Sequence, residues 1–233
     1  MELSKRLKFI ADKIDKCKSI ADIGTDHGYL PIYAVKNNIC EKAIASDINK
    51  SPVKKARLNV SCEKLSDKID VRLGPGLTPI LKGEVNGVVI AGMGGNLIRD
   101  ILKAEKKKVE GYDFLILQPA QNPEVLREYL YTHHYQIIDE DVCFDDNIFY
   151  ELIKVKVGYS NFLDVDPIFY EFSPVLLESS NPEVDDYLLF KKNKYEKILG
   201  FIKDNTESAI KRKNDINDKL KLINKFIEER KKW

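Results

Sequence analysis

The sequence predicts an α/β fold: a doubly wound, Rossmann-like seven-stranded sheet with a terminal antiparallel hairpin, plus a C-terminal helical, coiled-coil-like domain. Three observations support it. Apolar, β-branched runs alternate with helical patterns, which indicates right-handed βαβ crossovers and a mostly parallel sheet. Two β-rich runs then follow one another across a short turn. The remaining chain is rich in Lys, Glu, Asp and Asn, with apolar residues close to heptad spacing.

The elements follow in order. A short amphipathic helix is predicted over Glu2–Asp15, because its apolar residues recur at helical intervals. Five strands are predicted from the runs "SIADIG", "KAIASDI", "IDVRLG", "GVVIAG" and "DFLILQP". The hairpin is predicted from "YQIIDEDVCFDD" and "IFYELIKVKVG", which meet at a turn near Asp145 to Asn147. A sheet that ends in such a hairpin is typical of class I S-adenosylmethionine-dependent methyltransferases.

A domain boundary is predicted after residue 158, so that one domain spans 1–158 and a second spans 159–233. Tyr159–Ser180 is expected to be a loop. Because one long helix would be unpaired, the last segment is predicted to fold back on itself within Lys211–Asn217, "KRKNDIN". The resulting helix pair either only stabilises or dimerises the protein, as a monomer or weak dimer, or it grips a partner.

The composition is that of an ordinary globular protein, with 43% hydrophobic and 32% charged residues and a net charge of +1. That balance does not by itself indicate nucleic-acid binding. No apolar run approaches the roughly 20 residues of a membrane span, so we expect a cytoplasmic protein with no membrane contact. The cysteines form no C-x-x-C pair, and no metal is expected. They are Cys17, Cys40, Cys62 and Cys143.

The stretch "ADIGTDHGYLP" joins the first strand to the next helix. In nucleotide-binding folds, glycines such as Gly24 and Gly28 let the backbone approach the ligand, and an acidic residue about 20 positions later, here Asp47, binds ribose hydroxyls. A carboxylate at Asp26 would repel a dinucleotide pyrophosphate, which argues against an NAD-dependent dehydrogenase. S-adenosylmethionine has no phosphate and carries a sulfonium and an ammonium group, which Asp22 and Asp26 would attract. The motif therefore indicates this cofactor.

Three more stretches lie at the carboxyl ends of predicted strands, on the same side of the sheet. "RLGPGL" is expected to hold the adenine ring of the cofactor. "AGMGG" ends the fourth strand, where the methyl-accepting atom is usually met. "LILQPAQN" ends the fifth. The residues predicted to bind the cofactor are Asp22, Gly24, Thr25, Asp26, Gly28, Asp47, Ile48, Gly74, Pro75, Gly76, Leu77, Gly92, Met93 and Gly94.

Taken in order, "LSKRL", "DIGTDHGYLP", "AGMGG", "LQP" and the "YE" pair at Tyr150 and Glu151, with a C-terminal helical pair, resemble the bacterial tRNA (adenine(22)-N1)-methyltransferase family. The resemblance covers essentially the whole chain, with specific motifs in the first 158 residues. It implies methyl transfer from S-adenosylmethionine to N1 of an adenine in the D-arm region of tRNA. The family usually continues "LQP" with asparagine. Ala120 stands there in this chain, so that amide contact is absent or comes from Gln121 or Asn122.

The implied reaction makes modest demands. Adenine N1 has a free lone pair, and the methylated base is cationic until N6 loses a proton, so alignment and a nearby carboxylate suffice. We expect Asp26 to be that carboxylate, with His27 orienting it or contacting the base. Tyr29 is expected to stack on the exposed base. The residues predicted to contact the substrate are Tyr29, Gly95, Gln118, Pro119, Arg6 and Arg57.

Phosphate contacts require Lys and Arg on one face. The further candidates are Lys5, Arg99, Lys106 to Lys108, Arg127, Lys211, Arg212, Lys213, Arg230, Lys231 and Lys232. Two alternative functions stay open at this point. One is a methyltransferase acting on another RNA, a protein or a small molecule. The other is a catalytically silent cofactor-binding protein whose helical arm recruits a partner.

Overall fold

The computed structural model describes residues 2–158 and 165–231, so Lys232 and the first part of the predicted loop, 159–164, lie outside the described residues. The strands are β1 (Cys17–Ile23), β2 (Cys40–Asp47), β3 (Ile69–Leu73), β4 (Gly87–Gly94), β5 (Phe114–Gln121), β6 (Tyr135–Asp145) and β7 (Ile148–Val157). The helices are α1 (Lys5–Asp12), α2 (Tyr29–Lys36), α3 (Lys50–Cys62), α4 (Gly95–Ala104), α5 (Lys106–Val109), α6 (Pro123–Thr132), α7 (Pro174–Leu177), α8 (Glu183–Phe201) and α9 (Glu207–Arg230).

The strands form one seven-stranded sheet in the order β3-β2-β1-β4-β5-β7-β6. Strands β1 to β5 pair in parallel, and β7 pairs antiparallel with both β5 and β6. The hairpin turns at Asp146 and Asn147, whose φ angles of 48° and 61° suit a tight two-residue turn. The predicted fold class is confirmed. The strand order reverses between β1 and β4, so a crevice opens at their carboxyl ends.

Both faces of the sheet are covered, which explains the unbroken apolar runs in the sequence. Along β4, Val88 and Ile90 pack with α4 and α6 residues on one face, whereas Val89 packs with α1 to α3 residues on the other. All three side chains are fully buried. Successive side chains of β4 point to opposite faces of the sheet, and both faces are covered by helices. The strand therefore has apolar residues at every one of these positions.

The C-terminal helices form an antiparallel pair, since Arg230 near the end of α9 contacts Asp185 near the start of α8. The turn lies between Phe201 and Glu207, so its predicted place within Lys211–Asn217 is wrong: α9 runs through that segment. Lys and Asn tolerate a helix interior, and the chain instead breaks where the Thr206 side chain accepts a hydrogen bond from Ala209 N and caps α9.

The predicted loop before these helices contains structure within its described part. A short 3₁₀ helix spans Pro167–Tyr170, and α7 follows a Ser173 cap whose hydroxyl accepts from Val175 N. At the other end of the chain, α1 begins at Lys5, later than predicted, because Ser4 caps it. Within the described residues, no helix combines the length and apolar character that crossing a bilayer requires.

A buried network of charges joins α8 to the sheet. Arg127 on α6 is fully buried and ion-paired with Glu140 of β6 and Glu151 of β7. The Tyr187 hydroxyl of α8 donates to Glu151, and Lys191 Nζ donates to Glu171 Oε1 at 2.8 Å. The prediction that Arg127 contacts phosphate is therefore wrong, because its guanidinium has no path to solvent.

Side chains also form hydrogen bonds with main-chain N–H and C=O groups of both outer strands, β3 and β6. On β3, the guanidinium of Arg57 donates to Val71 O at 3.0 and 3.3 Å. On β6, Asn181 Nδ2 donates to Val142 O at 2.9 Å, and Phe144 N donates to Glu183 Oε2 at 2.8 Å. Arg57, predicted to contact the substrate, is thus held at the outer edge of the sheet.

Candidate functional site

The turn after β1 has a conformation that glycine permits. Gly24 and Gly28 have φ angles of 80° and 70°. The amides of Gly24 and Thr25 both donate to Ser46 O of β2, at 2.8 and 2.9 Å, and Gly28 N donates to Thr25 Oγ1 at 3.1 Å. A side chain at either glycine would require a strained backbone. The turn therefore presents main chain at the crevice.

Asp22 is the buried acid of the site. It is 8% exposed, and burial raises its pKa from 3.8 to about 6, while the Thr25 hydroxyl and the Arg6 guanidinium act in the opposite direction. The neighbouring charge of Asp47 raises the pKa further. A carboxyl group held so far out of water is stabilised in its ionised form by a cationic ligand. This favours a positively charged group in the crevice.

The end of β2 is tied to the loop after β3. Asp47 Oδ1 accepts from Asn49 N at 2.6 Å, and Asp47 O accepts from Gly74 N at 2.9 Å. Ile48 is 63% exposed. Gly74 and Gly76 are half-buried and Pro75 is exposed. These residues lie at the crevice, where the sequence predicts that the adenine ring of the cofactor is held.

Leu77 differs from the rest of that loop. Its side chain is 1% exposed and packs in the core, and its carbonyl accepts from Lys108 Nζ at 3.0 Å. We therefore assign Leu77 to the core. The prediction that it contacts the cofactor followed only from its place in "RLGPGL".

The glycines at the end of β4 allow close packing. A Cβ at Gly92, whose φ is 77°, would lie 2.8 Å from Arg6 Nη2, and one at Gly24 would lie 2.3 Å from Met93 Cε. A Cβ at Gly95 would lie 2.2 Å from Asn122 O. Gly95 is buried, so this glycine serves backbone packing and has no surface for the predicted substrate contact.

Gly94 and the strand end of β5 lie together. A Cβ at Gly94 would be 3.3 Å from Gln121 Nε2, which places the Gln121 side chain against this glycine. Ala120 is exposed and Pro119 is buried. The side-chain amide of Gln121, the residue after Ala120, thus borders the end of β4.

Asp26 and His27 lie side by side at the mouth of the crevice. His27 Nε2 is 3.1 Å from Asp26 Oδ2, and the Asp26 side chain is 67% exposed. The rings of His27 and Tyr29 stack, with centroids 5.0 Å apart and an interplanar angle of 11°. The structure thus brings the predicted catalytic pair and the predicted stacking residue into one group open to solvent.

Helix α3 supports this group in a way that sequence reasoning missed. Asn59 Nδ2 donates to His27 O at 2.9 Å, Lys55 Nζ lies 3.8 Å from Asp26 Oδ1, and Ala56 Cβ lies 3.3 Å from a Cβ built on Gly28. Lys55 and Asn59 are neighbours on the helix surface at i and i+4, and Ala56 is a neighbour of Asn59 at i and i+3. That spacing in "KARLN" is the only signal the sequence contained.

Arg6 reaches the crevice from α1. Its Nε and Nη2 donate to Gln118 Oε1 at 2.8 and 2.6 Å, and its guanidinium lies 5.0 Å from the centroid of the Tyr150 ring. Gln118 is fully buried, and its Nε2 donates to Pro119 O at 3.0 Å. Gln118 therefore holds Arg6, and its own amide is occupied.

The remaining basic candidates divide into anchored and exposed residues. Arg230 donates to Leu177 O and Ser179 O, Lys5 donates to Phe144 O and pairs with Glu183, and Arg99 pairs with Asp100. Lys5 is nonetheless exposed, as are the following members of the set: Lys106, Lys107, Lys211, Arg212 and Lys231. Lys108 and Lys213 are half-buried and donate to main-chain carbonyls. Over the ranges 2–158 and 165–231, no group of three or more His, Cys, Asp or Glu residues is placed to hold a metal ion.

Comparison with known proteins adds to this geometry. A family model described as "Methyltransferase domain" matches residues 3–153. The tRNA (adenine(22)-N(1))-methyltransferase of Bacillus subtilis is 44% identical over 158 residues, which are 68% of this chain and 66% of that protein. The chain thus aligns in sequence with slightly less than two thirds of this relative.

Solved structures cover nearly the whole chain. The crystal structure of the B. subtilis M1A22 tRNA methyltransferase TrmK has a TM-score of 0.86 and 34% identity, over 97% of this chain and 99% of that one. The structure of M. capricolum TrmK in complex with S-adenosyl-homocysteine has a TM-score of 0.83 and 33% identity, over 96% and 99%.

Proposed function

The chain belongs to the tRNA (adenine(22)-N1)-methyltransferase family, and from that premise we propose that it transfers a methyl group from S-adenosylmethionine to N1 of adenine 22 of tRNA. The observation that carries the proposal is the acidic crevice at the ends of β1 and β2, beside the Asp26–His27 pair, whose carboxylate is exposed. The acidic groups of the crevice attract a cationic cofactor, and they also stabilise a base that becomes cationic during the reaction.

The residues present fit the cofactor. Buried Asp22 favours a positive group, and the unpartnered hydroxyl of Ser46 lies fully buried at the adjacent end of β2. Asp47 stands where ribose hydroxyls are bound in related folds. When bound, S-adenosylmethionine supplies an electrophilic methyl group. The proposed binding residues are Asp22, Gly24, Thr25, Asp26, Gly28, Asp47, Ile48, Gly74, Pro75, Gly76, Gly92, Met93 and Gly94.

Asp26 acts on the base through charge. The incoming adenine gains a positive charge at N1, which a carboxylate at hydrogen-bonding distance stabilises. His27, 3.1 Å from Asp26, orients that carboxylate, and the stacked Tyr29 ring offers a flat surface to an unstacked base. The N6 proton is lost from the cationic product to solvent at this open mouth. No side chain has to remove a proton before methyl transfer.

Exposed cations on α5 and α9 would contact the tRNA backbone. We propose Lys106, Lys107, Lys211 and Arg212 for this role, since their side chains are exposed. We further propose a methyltransferase domain over 1–158, a C-terminal domain over 159–233 that assists tRNA binding, a cytoplasmic location, and a monomer or weak dimer.

The test uses purified protein, S-adenosylmethionine labelled in its methyl group, and unmodified tRNA transcripts, followed by nucleoside analysis. We expect label in 1-methyladenosine, and none when adenine 22 of the transcript is replaced by guanine. Asp26→Asn should lower kcat by about a hundredfold. The affinity for the cofactor should fall by much less, because buried Asp22 still carries most of the attraction for its positive groups. The control is Asp113→Asn, which replaces an exposed acid just before β5, at the amino ends of the strands and so away from the crevice. Cofactor binding without transfer to any transcript would refute the proposal.

A further inference from the structure

We infer that Arg6 contacts the target nucleobase itself, by hydrogen bonding or stacking, and not a backbone phosphate. The inference rests on the proposed function and identifies a specificity residue on the side of the crevice where the base enters. It also gives the arginine of the "LSKRL" stretch, predicted only to contact the substrate, a specific role.

The guanidinium is held in one place. Two of its N–H groups donate to the same oxygen, Gln118 Oε1, at 2.8 and 2.6 Å. Gln118 is fully buried, and its amide nitrogen is tied to Pro119 O, so the acceptor cannot turn away. Tyr150 packs its ring 5.0 Å from the guanidinium carbon. Such a fixed planar cation is prepared for a ligand of defined geometry.

Helix α1 is fixed as well. The main-chain N of Arg6 donates to Asp145 Oδ2 at 2.9 Å, at the hairpin turn between β6 and β7. Lys13, just after the helix, pairs with Asp139 at 2.9 Å and Asp141 at 3.0 Å. Side chain and main chain of Arg6 are therefore positioned independently of each other.

The guanidinium retains binding capacity. It has five N–H groups, and the hydrogen bonds to Gln118 use two of them; the described residues show no hydrogen-bond acceptor for the other three. The residue is half-buried, and it borders the open main chain of Gly92, where a Cβ would come within 2.8 Å of Nη2. An unstacked base presents ring-nitrogen acceptors and flat faces that arginine binds well.

The surrounding charges disfavour a phosphate at this position. Asp145 accepts from the Arg6 main chain, and Asp22 is close enough for Arg6 to influence its ionisation. A phosphate beside the Arg6 guanidinium would therefore approach the carboxylate of Asp22, whereas the base is neutral when it enters and meets no such repulsion. A neutral, planar ligand is the better match.

The inference predicts a defined kinetic pattern. The base is neutral when Arg6 binds it, so loss of Arg6 should raise KM. A cation does not stabilise the positive charge that the base gains during transfer, so kcat should not fall. For Arg6→Gln, we expect the KM for tRNA to rise about tenfold or more. The dissociation constant for S-adenosylmethionine should change by much less, through the influence of Arg6 on Asp22 alone. Arg6→Lys should restore little, because lysine lacks the planar fork.

The experiment measures methyl transfer to the unmodified transcript at several salt concentrations, with cofactor binding measured by calorimetry. If Arg6 contacts the base, the slope of log KM against log salt is the same for Arg6→Gln and the unsubstituted protein. Loss of a phosphate contact would lower that slope by about 0.7 to 0.9. The control is Lys13→Gln, which weakens the anchoring of α1 without touching the crevice.

Three results would overturn the inference: a lowered salt slope in Arg6→Gln, an equal rise of KM in Lys13→Gln, or no change of KM in Arg6→Gln. Failure of the proposed function is recognised separately, because the unsubstituted protein would then make no 1-methyladenosine. An active unsubstituted protein with any of the three results leaves the proposed function intact and removes only the role of Arg6.

Discussion

Replacement of Asp22 by asparagine should stabilise the protein without its cofactor. Burial raises the Asp22 pKa from 3.8 to about 6, which corresponds to an unfavourable contribution of about 3 kcal/mol to folding at neutral pH. An acid whose pKa is higher in the folded state costs stability above that pKa. The cost is complete above about pH 7 and disappears as the pH falls towards 4.

The pH dependence separates the cost of burying the Asp22 carboxylate from other effects of the substitution. At pH 5 the cost is about half of its value at pH 7.5, so the advantage of Asp22→Asn should shrink by about 1.4 kcal/mol between these conditions. Urea denaturation of both proteins at the two pH values measures it. The matched control for the substitution itself is Asp113→Asn, which replaces an exposed carboxylate. An advantage that is absent, or equal at both pH values, would refute the argument from burial.

The same carboxylate governs the cofactor. A positively charged ligand prefers ionised Asp22, so the affinity for S-adenosylmethionine should fall below about pH 6, by up to about tenfold per pH unit. Asp22→Asn should bind weakly at every pH, with no such fall. Calorimetry at pH 7.5 and pH 5 tests this, and parallel pH curves for the two proteins would contradict it.

Three other changes have expected outcomes. Asn59→Ala should lower kcat about tenfold by freeing the loop carbonyl that its amide holds, whereas Asn37→Ala, which removes a similar amide-to-carbonyl hydrogen bond of 2.8 Å at the end of α2, should leave kcat unchanged. Glu151→Gln should cost about 3 to 5 kcal/mol in urea denaturation, since it breaks the buried pair with Arg127. Gly95→Ala should cost about 1 to 3 kcal/mol by the same assay, because its Cβ meets a backbone oxygen at 2.2 Å.

The strands and the terminal hairpin could be predicted because their signals are local. Runs of β-branched residues covered on both faces stay apolar along their length, and the turn at Asp146 and Asn147 consists of residues that tolerate positive φ. The fold-back of the C-terminal helices was misplaced since "KRKNDIN" contains no residue that stops a helix. Its real signal, a capping Thr206, is a single hydroxyl.

Long-range contacts could not be predicted in this way. Arg6 and Gln118 are 112 positions apart, and nothing near either residue indicates the other. Arg127 looked like a surface cation because its two acidic partners lie on strands that follow it in the chain. A charge is assigned to the surface by default, and only the tertiary fold shows that its partners surround it.

The contacts on the outer strands bear on how molecules of this protein meet. Outer strands normally offer rows of free N–H and C=O groups, which invite strand addition by a second chain and, eventually, aggregation. Here Arg57 occupies Val71 O at one edge, and Asn181 and Glu183 occupy Val142 O and Phe144 N at the other. At these positions an incoming strand would find the main-chain groups already occupied, which disfavours strand addition at either edge.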